Sequence, residues 1–277
     1  MKKNNNRNKP NNRNKTNRKS NTSDFFKTTA PKKTAETPVV NPNPRLNKYV
    51  ANAGIASRRK ADELIKEGNV SVNEEVVLEM GYRVQPDDVV RFKGEIIKPE
   101  TNKVYILLNK PKNTITTAND PQGRKTVLDI VDKACSERVF PVGRLDRYTT
   151  GLLLITNDGD LAKKLSHPSH KVKKIYHVSL SQPVTLAHLN SIARGLELED
   201  GKALVDKVGY LDGKKKEIGI ELHIGKNRIV RRIFAHLGYE VLRLDRVYYG
   251  GLTKKDLPRG KYRFLGKQEV IMLKHFV

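Results

Sequence analysis

Regular hydrophobic patterning begins near residue 45 of this chain. Leu46, Tyr49, Val50 and Ala53 share one face of a short helix, and Gly54 is well suited to end it. The sequence before this point lacks a comparable run of apolar residues. The first predicted element is therefore a helix that starts close to residue 45.

A second helix and several short strands follow. Ser57 can cap a helix whose apolar face holds Ala61, Leu64 and Ile65, and Gly68 can end that helix. Apolar residues then predict short strands at 70–72, 76–78 and 89–92. The pattern predicts a small α+β unit, which we place at residues 45–102.

The remaining sequence, residues 103–277, contains more strand-like runs than helical ones. A continuous apolar run at 104–108 is typical of a buried strand. Further strands are predicted at 152–156, 174–181, 203–210, 217–224, 240–248 and 262–265, and helices near 159–166, 185–194, 227–237 and 267–275. Because strands predominate and their connections are mixed, we expect an α+β fold with a mainly antiparallel sheet.

The charge of the chain favours a polyanionic partner. Lys and Arg number 54 against 30 Asp and Glu, which gives a net charge of +24. Residues 1–44 hold 11 of those cations against Asp24 and Glu36, hence +9, and the rest of the chain carries the other +15. This tail has too little apolar surface to fold, so we expect a disordered segment that either grips phosphates or only aids solubility.

Composition also restricts the compartment and the class of site. No apolar run approaches the roughly 20 residues that span a bilayer, and no apolar core follows the charged start as in a signal peptide. Cys135 is the single cysteine, which excludes an internal disulfide framework and a cysteine-based metal site. We expect a cytoplasmic protein without membrane contact, and a monomer.

The small unit resembles the S-four RNA-binding module. The resemblance rests on the motifs at 45–50, 56–61 and 65–73. It implies RNA binding and no catalysis, because unrelated protein types carry this module. The residues that we expect to contact RNA here are basic or hydroxylated: Arg45, Lys48, Ser57, Arg58, Arg59 and Lys60.

Three segments of the larger unit carry residues suited to chemistry. Asp146 lies between two arginines in a turn-rich segment before a buried strand, and alternation puts Lys174 and Tyr176 on one face of another strand. Arg228 and Arg231 lie one turn apart at the start of a helix. Taken singly, these could be a surface ion pair, a core tyrosine and a stripe of RNA-facing arginines.

Taken together, the segments resemble the pseudouridine synthases of the RsuA/RluB family. The order is that family's: Gly-Arg-Leu-Asp at 143–146, Lys-x-Tyr at 174–176, and Gly-x-x-Arg-x-x-Arg-Arg at 225–232. The resemblance covers residues 45–277 and implies conversion of uridine to pseudouridine in a folded RNA, without a cofactor or a metal. The loop at 119–124 and the form of 225–228 resemble the branch that acts on large-subunit ribosomal RNA.

The resemblance also implies the role of each site residue. Asp146 is expected to be the nucleophile, and Arg231 to pair with it and orient it. Tyr176 is expected to stack on the target base, and Arg144 to hold the flanking backbone or the loop. Further RNA contacts are expected from Lys110, Arg228 and Arg232.

Alternatives remain open. A synthase acting on small-subunit ribosomal RNA is the alternative within the same family. A non-catalytic ribosome-assembly factor would explain the charge but not the order of Asp146, Tyr176 and Arg231. A metal-dependent nuclease would use His167 and His170, yet no cluster of carboxylates accompanies them in the sequence.

Overall fold

The computed structural model describes residues 43–275. Residues 1–42 of the segment predicted to be disordered, 1–44, lie outside the described residues. Within them no helix is long and apolar enough to cross a membrane.

The N-terminal module is a pair of helices packed on a small sheet. Helix α1 spans Leu46–Asn52 and α2 spans Arg58–Lys66. Four antiparallel strands follow in the order β2-β1-β3-β4, with bounds Val70–Val72 for β1, Glu75–Val76 for β2, Val90–Phe92 for β3 and Glu95–Ile96 for β4. As predicted, the Ser57 side chain caps α2, accepting a hydrogen bond from the Lys60 amide at 3.2 Å.

The module has a core of its own. Its centre is formed by Leu46, Val50, Ala61 and Ile65 from the two helices, together with valines of the sheet. The strand predicted at 76–78 ends at Val76, because the residues after it have no ladder partner in the sheet. Because the apolar faces of both helices form this core, the basic residues of the helices lie on the outside of the module.

The larger domain is built on a mixed sheet of nine strands, seven of which form the path β13-β5-β7-β11-β8-β10-β9. All pairings are antiparallel except that of β7 with β11. The strands are β5 Tyr105–Lys110, β6 Phe140–Pro141, β7 Thr150–Thr156, β8 Lys174–Leu180, β9 Lys207–Leu211, β10 Lys214–Leu222, β11 Val241–Tyr249, β12 Leu252–Thr253 and β13 Tyr262–Phe264. The expected α+β class with a mainly antiparallel sheet is confirmed.

Five helices accompany this sheet in the described part of the domain. They are α3 Val127–Val131, α4 Gly159–Ser166, α5 Leu186–Arg194, α6 Ile229–His236 and α7 Lys267–His275, with a short 3-10 turn at Pro168–His170 between α4 and β8. Helix α3 was not predicted, although Thr126 and Asp129 form a capping box at its start.

Two boundaries differ from prediction for local reasons. The strand predicted at 203–210 begins only at Lys207, because Ala203 makes no more than an isolated bridge to Leu196. Helix α6 begins at Ile229 rather than 227, since Arg228 has a left-handed backbone with φ of 47°.

Each face of the large sheet has its own hydrophobic cluster. Successive residues of β7 alternate between them, so Leu153 and Ile155 belong to one cluster while Leu152 and Leu154 belong to the other. The first cluster is covered by α3, α5 and α6, and the second by α4 and α7. The candidate site lies with the first cluster.

Candidate active site

Asp146 lies in the loop between β6 and β7, where it is half-buried. The next turn is closed by the Thr149 amide, which donates to the Asp146 carbonyl at 3.0 Å. On the other side of the loop, the Thr116 hydroxyl donates to the Leu145 carbonyl at 2.9 Å and accepts from the Leu145 amide at 3.3 Å. The backbone on both sides of the Asp146 carboxylate is thus held by hydrogen bonds.

Lys110 donates hydrogen bonds to the backbone of this loop. It is fully buried, and its ammonium lies within 3.3 Å of four carbonyl oxygens, those of Pro111, Asp146, Arg147 and Thr149. Burial lowers the pKa of Lys110 to about 8, against the attraction of Asp146, and nearby Arg259 lowers it further. The expectation that Lys110 contacts RNA is wrong, because this side chain has no surface to offer.

Tyr176 comes to the site from the middle of β8. Its side chain is 9% exposed and packs in the same hydrophobic cluster as Leu145, the neighbour of Asp146. The preceding residue on that face, Lys174, donates to the His223 carbonyl at 2.7 Å. Burial lowers the pKa of Lys174 to about 8, and Arg246 contributes in the same direction.

Arg231 reaches the site from α6, whose residues Ile229 and Val230 join the same cluster. Its Nη1 donates to the Val241 carbonyl at 2.9 Å, which fixes the guanidinium against β11. Burial lowers the pKa of Arg231, and the charge of Asp146 opposes that shift by favouring the guanidinium. Asp146 therefore lies within electrostatic reach of two cations, Arg231 and Lys110.

A close junction of β7 with β11 sets the position of the loop. Gly151 has φ of +107°, and a Cβ built there would lie 2.7 Å from Asp245 Oδ1 and closer still to the Arg246 backbone. The Thr150 hydroxyl donates to Asp245 Oδ1 at 3.0 Å, and Asp245 also pairs with Lys254 and Arg259. Arg246 is 3% exposed and donates to the Leu152 carbonyl at 2.7 Å.

The other residues of the predicted site are distributed more widely. Arg144 and Arg228 are exposed on the loop and at the start of α6. Arg232 points elsewhere, since both terminal nitrogens pair with Asp200 at 2.9 Å. The structure pairs its guanidinium with Asp200 and does not join it to Asp146.

In the N-terminal module, the expected RNA contacts fall into two groups. Arg45, Arg58 and Arg59 are exposed, and their side chains have no hydrogen-bond or ion-pair partner within residues 43–275. Lys48 pairs with Asp160 of the larger domain at 2.7 Å, and Lys60 pairs with Glu63 at 2.9 Å. Ser57 is exposed but uses its oxygen for the cap.

The described chain contains no group of three or more His, Cys, Asp or Glu that could hold a metal ion. His167, which the nuclease alternative requires, instead lies 2.7 Å from the Ser169 hydroxyl through its Nδ1. Nothing in residues 43–275 supports a metal-dependent nuclease.

Comparison with known proteins agrees with this arrangement. The RNA pseudouridylate synthase family matches residues 104–236, and the S4 domain matches residues 44–90. The ribosomal large subunit pseudouridine synthase B of Bacillus subtilis is 43% identical over 234 residues, which are 83% of this chain and 95% of that protein. The chain belongs to the RNA pseudouridine synthases.

Further relatives support the same family. An uncharacterized RNA pseudouridine synthase of Aquifex aeolicus is 42% identical over 83% of this chain and 93% of its own length. A crystal structure of a pseudouridylate synthase matches with a TM-score of 0.60 and 28% identity, covering 83% of this chain and 99% of that chain. The protein is thus an isomerase of RNA, with an S4 domain ahead of its catalytic domain.

Sequence reasoning missed several residues that shape the site. Nothing in the sequence marked Thr116 as part of the site, because threonine is common in loops and turns. Asp245 and Arg246 gave a weak signal, since they and Arg243 place three charged residues in a strand whose other residues are apolar or aromatic. Lys110 was predicted as an RNA contact, but it lies two residues after the apolar run at 104–108 and is the last residue of β5, all of whose residues are buried.

Proposed function

We propose that Asp146 is the nucleophile in the conversion of uridine to pseudouridine. The observation that carries this proposal is the register of the sheet, in which Arg246 of β11 pairs with Tyr176 of β8 on one side and with Gly151 of β7, close after the Asp146 loop, on the other. The charge of Asp146 also opposes the lowering of the Arg231 pKa, as expected for two groups that belong to one site. The reaction breaks the bond from the ribose to the base nitrogen, turns the base, and forms a carbon–carbon bond at the same ribose carbon. Asp146 would act as the carboxylate, with Arg231 holding it in place.

Tyr176 and Arg144 complete the proposed site. Tyr176 is fixed on β8 beside the Asp146 loop and would stack on the target base after that base leaves its helix, which costs a few kcal/mol. Arg144 is exposed two residues before Asp146 and would hold the flanking phosphate. Arg228 would add a second backbone contact from the start of α6.

We further propose large-subunit ribosomal RNA as the substrate. Support comes from the Bacillus subtilis relative and from that of Vibrio cholerae, 39% identical over 84% of this chain, which has the same name. The sequence of the loop at 119–124 also resembles that of the large-subunit branch. The enzyme would work in the cytoplasm as a monomer, without a cofactor.

The test of the nucleophile is Asp146→Asn. This variant keeps the shape of the side chain and removes its nucleophilic charge, so we expect turnover to fall at least 1,000-fold while RNA affinity changes less than threefold. Turnover is measured as tritium released from C5-labelled uridine in ribosomal RNA. Retained turnover in the purified variant would exclude Asp146 as the nucleophile.

The test of the substrate is a map of pseudouridines in ribosomal RNA from cells lacking the gene. We expect one missing large-subunit site, restored by the wild-type gene and not by Asp146→Asn. A missing small-subunit site would transfer the proposal to that RNA, and an unchanged map would favour a ribosome-assembly role.

A further inference from the structure

We propose that a cationic cleft between the N-terminal module and the catalytic domain binds the RNA backbone at a distance from Asp146. The inference rests on the proposed function in assuming that ribosomal RNA is the ligand. The cleft has a volume of about 750 Å³. Its cationic walls include Arg45, Lys48, Arg58 and Arg83 on the module and Lys163 and Lys274 on the catalytic domain, and we call it the inter-module cleft.

The charge of the inter-module cleft is strongly one-sided. Seven lysines and arginines line it against two aspartates. Both aspartates are already engaged: Asp160 pairs with Lys48 at 2.7 Å, and Asp158 caps α4 and accepts from the Tyr105 hydroxyl at 2.8 Å. The cleft therefore presents more positive than negative charge to an external anion.

Several of the cations are available for binding. The side chains of Arg45, Arg58 and Lys163 have no hydrogen-bond or ion-pair partner among the residues that the structure describes. Arg83 uses one nitrogen for the Asn43 carbonyl at 3.1 Å, and Lys274 lies 5.7 Å from the centre of the Tyr105 ring. Such long side chains contact phosphates and position a nucleic acid without reading its sequence.

The inter-module cleft lies on the opposite side of the sheet from the proposed site. Leu161 of its wall packs with Leu152 and Leu154 of β7, whereas Leu145 and Tyr176 pack with the alternate residues of that strand. A strand of RNA in the cleft would thus flank the target nucleotide and not contain it. We infer a second anchoring surface, shared by both domains, that contributes affinity and leaves the chemical step unchanged.

The test compares two double variants of the full chain. Lys163→Gln with Lys274→Gln removes two charges from the catalytic wall of the cleft. Lys133→Gln with Lys215→Gln removes two exposed charges outside it and serves as the matched control. Binding of a large-subunit ribosomal RNA transcript is titrated at several salt concentrations, and melting temperatures verify that both variants are folded.

We expect the cleft variant to bind at least fivefold more weakly, with its salt slope reduced by about 2, close to 0.9 for each lost phosphate contact. The control should keep the wild-type slope. In turnover assays the cleft variant should show a raised KM and an unchanged kcat. Binding of inorganic phosphate alone, with no change in RNA affinity, would restrict the cleft to free anions and overturn the proposal.

Two further outcomes would also overturn it. One is an unchanged salt slope in the cleft variant, and the other is an equal loss in both variants, which would indicate a general surface effect. The readout is separate from that of the nucleophile: weakened RNA binding by the cleft variant would stand even if Asp146→Asn retained turnover.

Discussion

Basic residues occupy opposite environments in the two domains. In the N-terminal module, Arg58 and Arg59 extend from α2 into solvent without a partner in the described part of the chain. In the catalytic domain, Lys110 and Arg246 are buried and donate to backbone carbonyls. Residues of the same charge thus lie exposed in one domain and help to build the candidate site in the other.

The difference follows from the size of each core. The module has two short helices and a sheet of two- and three-residue strands, which cannot enclose a long side chain. The nine-stranded sheet has a hydrophobic cluster on each face. The loop that leads into β7 has buried carbonyl groups that need hydrogen-bond donors. A lysine ammonium can donate three hydrogen bonds to such carbonyls, although its burial costs the free energy of removing it from water.

The largest expected effect concerns two glycines with positive φ. Gly151→Ala places a methyl group against the Arg246 backbone, so we expect a loss of about 4 kcal/mol or more in the free energy of unfolding. Gly54→Ala in the module meets no atom within 4 Å and should cost only the backbone strain, about 1–2 kcal/mol. The free energy of unfolding of both variants is measured by chemical denaturation. Equal losses would contradict the close approach of Gly151 to the Arg246 backbone.

The next effect compares a buried cation with an exposed one. Lys110→Met leaves the carbonyls of Asp146, Arg147 and Thr149 without their donor, so we expect roughly 3 kcal/mol of destabilisation and impaired turnover. Arg59→Met should change stability by less than about 0.5 kcal/mol.

The salt dependence of RNA binding should change more in Arg59→Met than in Lys110→Met, which is the reverse of the expected order for stability. Arg59→Met is expected to lower the salt slope by about 0.9, whereas folded Lys110→Met should keep the wild-type slope. A reduced slope in Lys110→Met would mean that this lysine leaves its carbonyls and contacts phosphate after all.

The smallest effect is a dependence on pH. The pKa of Lys110 is about 8 in the folded protein against an ordinary value of 10.5, so between these values the unfolded chain binds more protons. The free energy of unfolding of the wild type should therefore rise with pH in this window, relative to Lys110→Met. Parallel curves for the two proteins from pH 7 to 10 would show that Lys110 is not desolvated.

Sequence patterning was sufficient for most of the fold. Continuous apolar runs marked β5 and β7, and the 3.6-residue period located α4 and α7 with the bounds that the structure shows. Helix α3 was missed because five residues are too few for a periodic signal, and α6 began late because the backbone of Arg228 is left-handed. Local signals fail where an element is short or where an unusual conformation sets its end.

By itself, the sequence determined which segments could form a site. Asp146, Tyr176 and Arg231 were indicated by the resemblance of their motifs to a known family, and an RNA partner was indicated by charge. Only the tertiary structure decided which cations are available to RNA. Lys110 and Arg59 are equally basic in the sequence, but one is enclosed by carbonyls and the other by water. Burial is decided by contacts between distant segments, and these contacts exist only after the chain has folded.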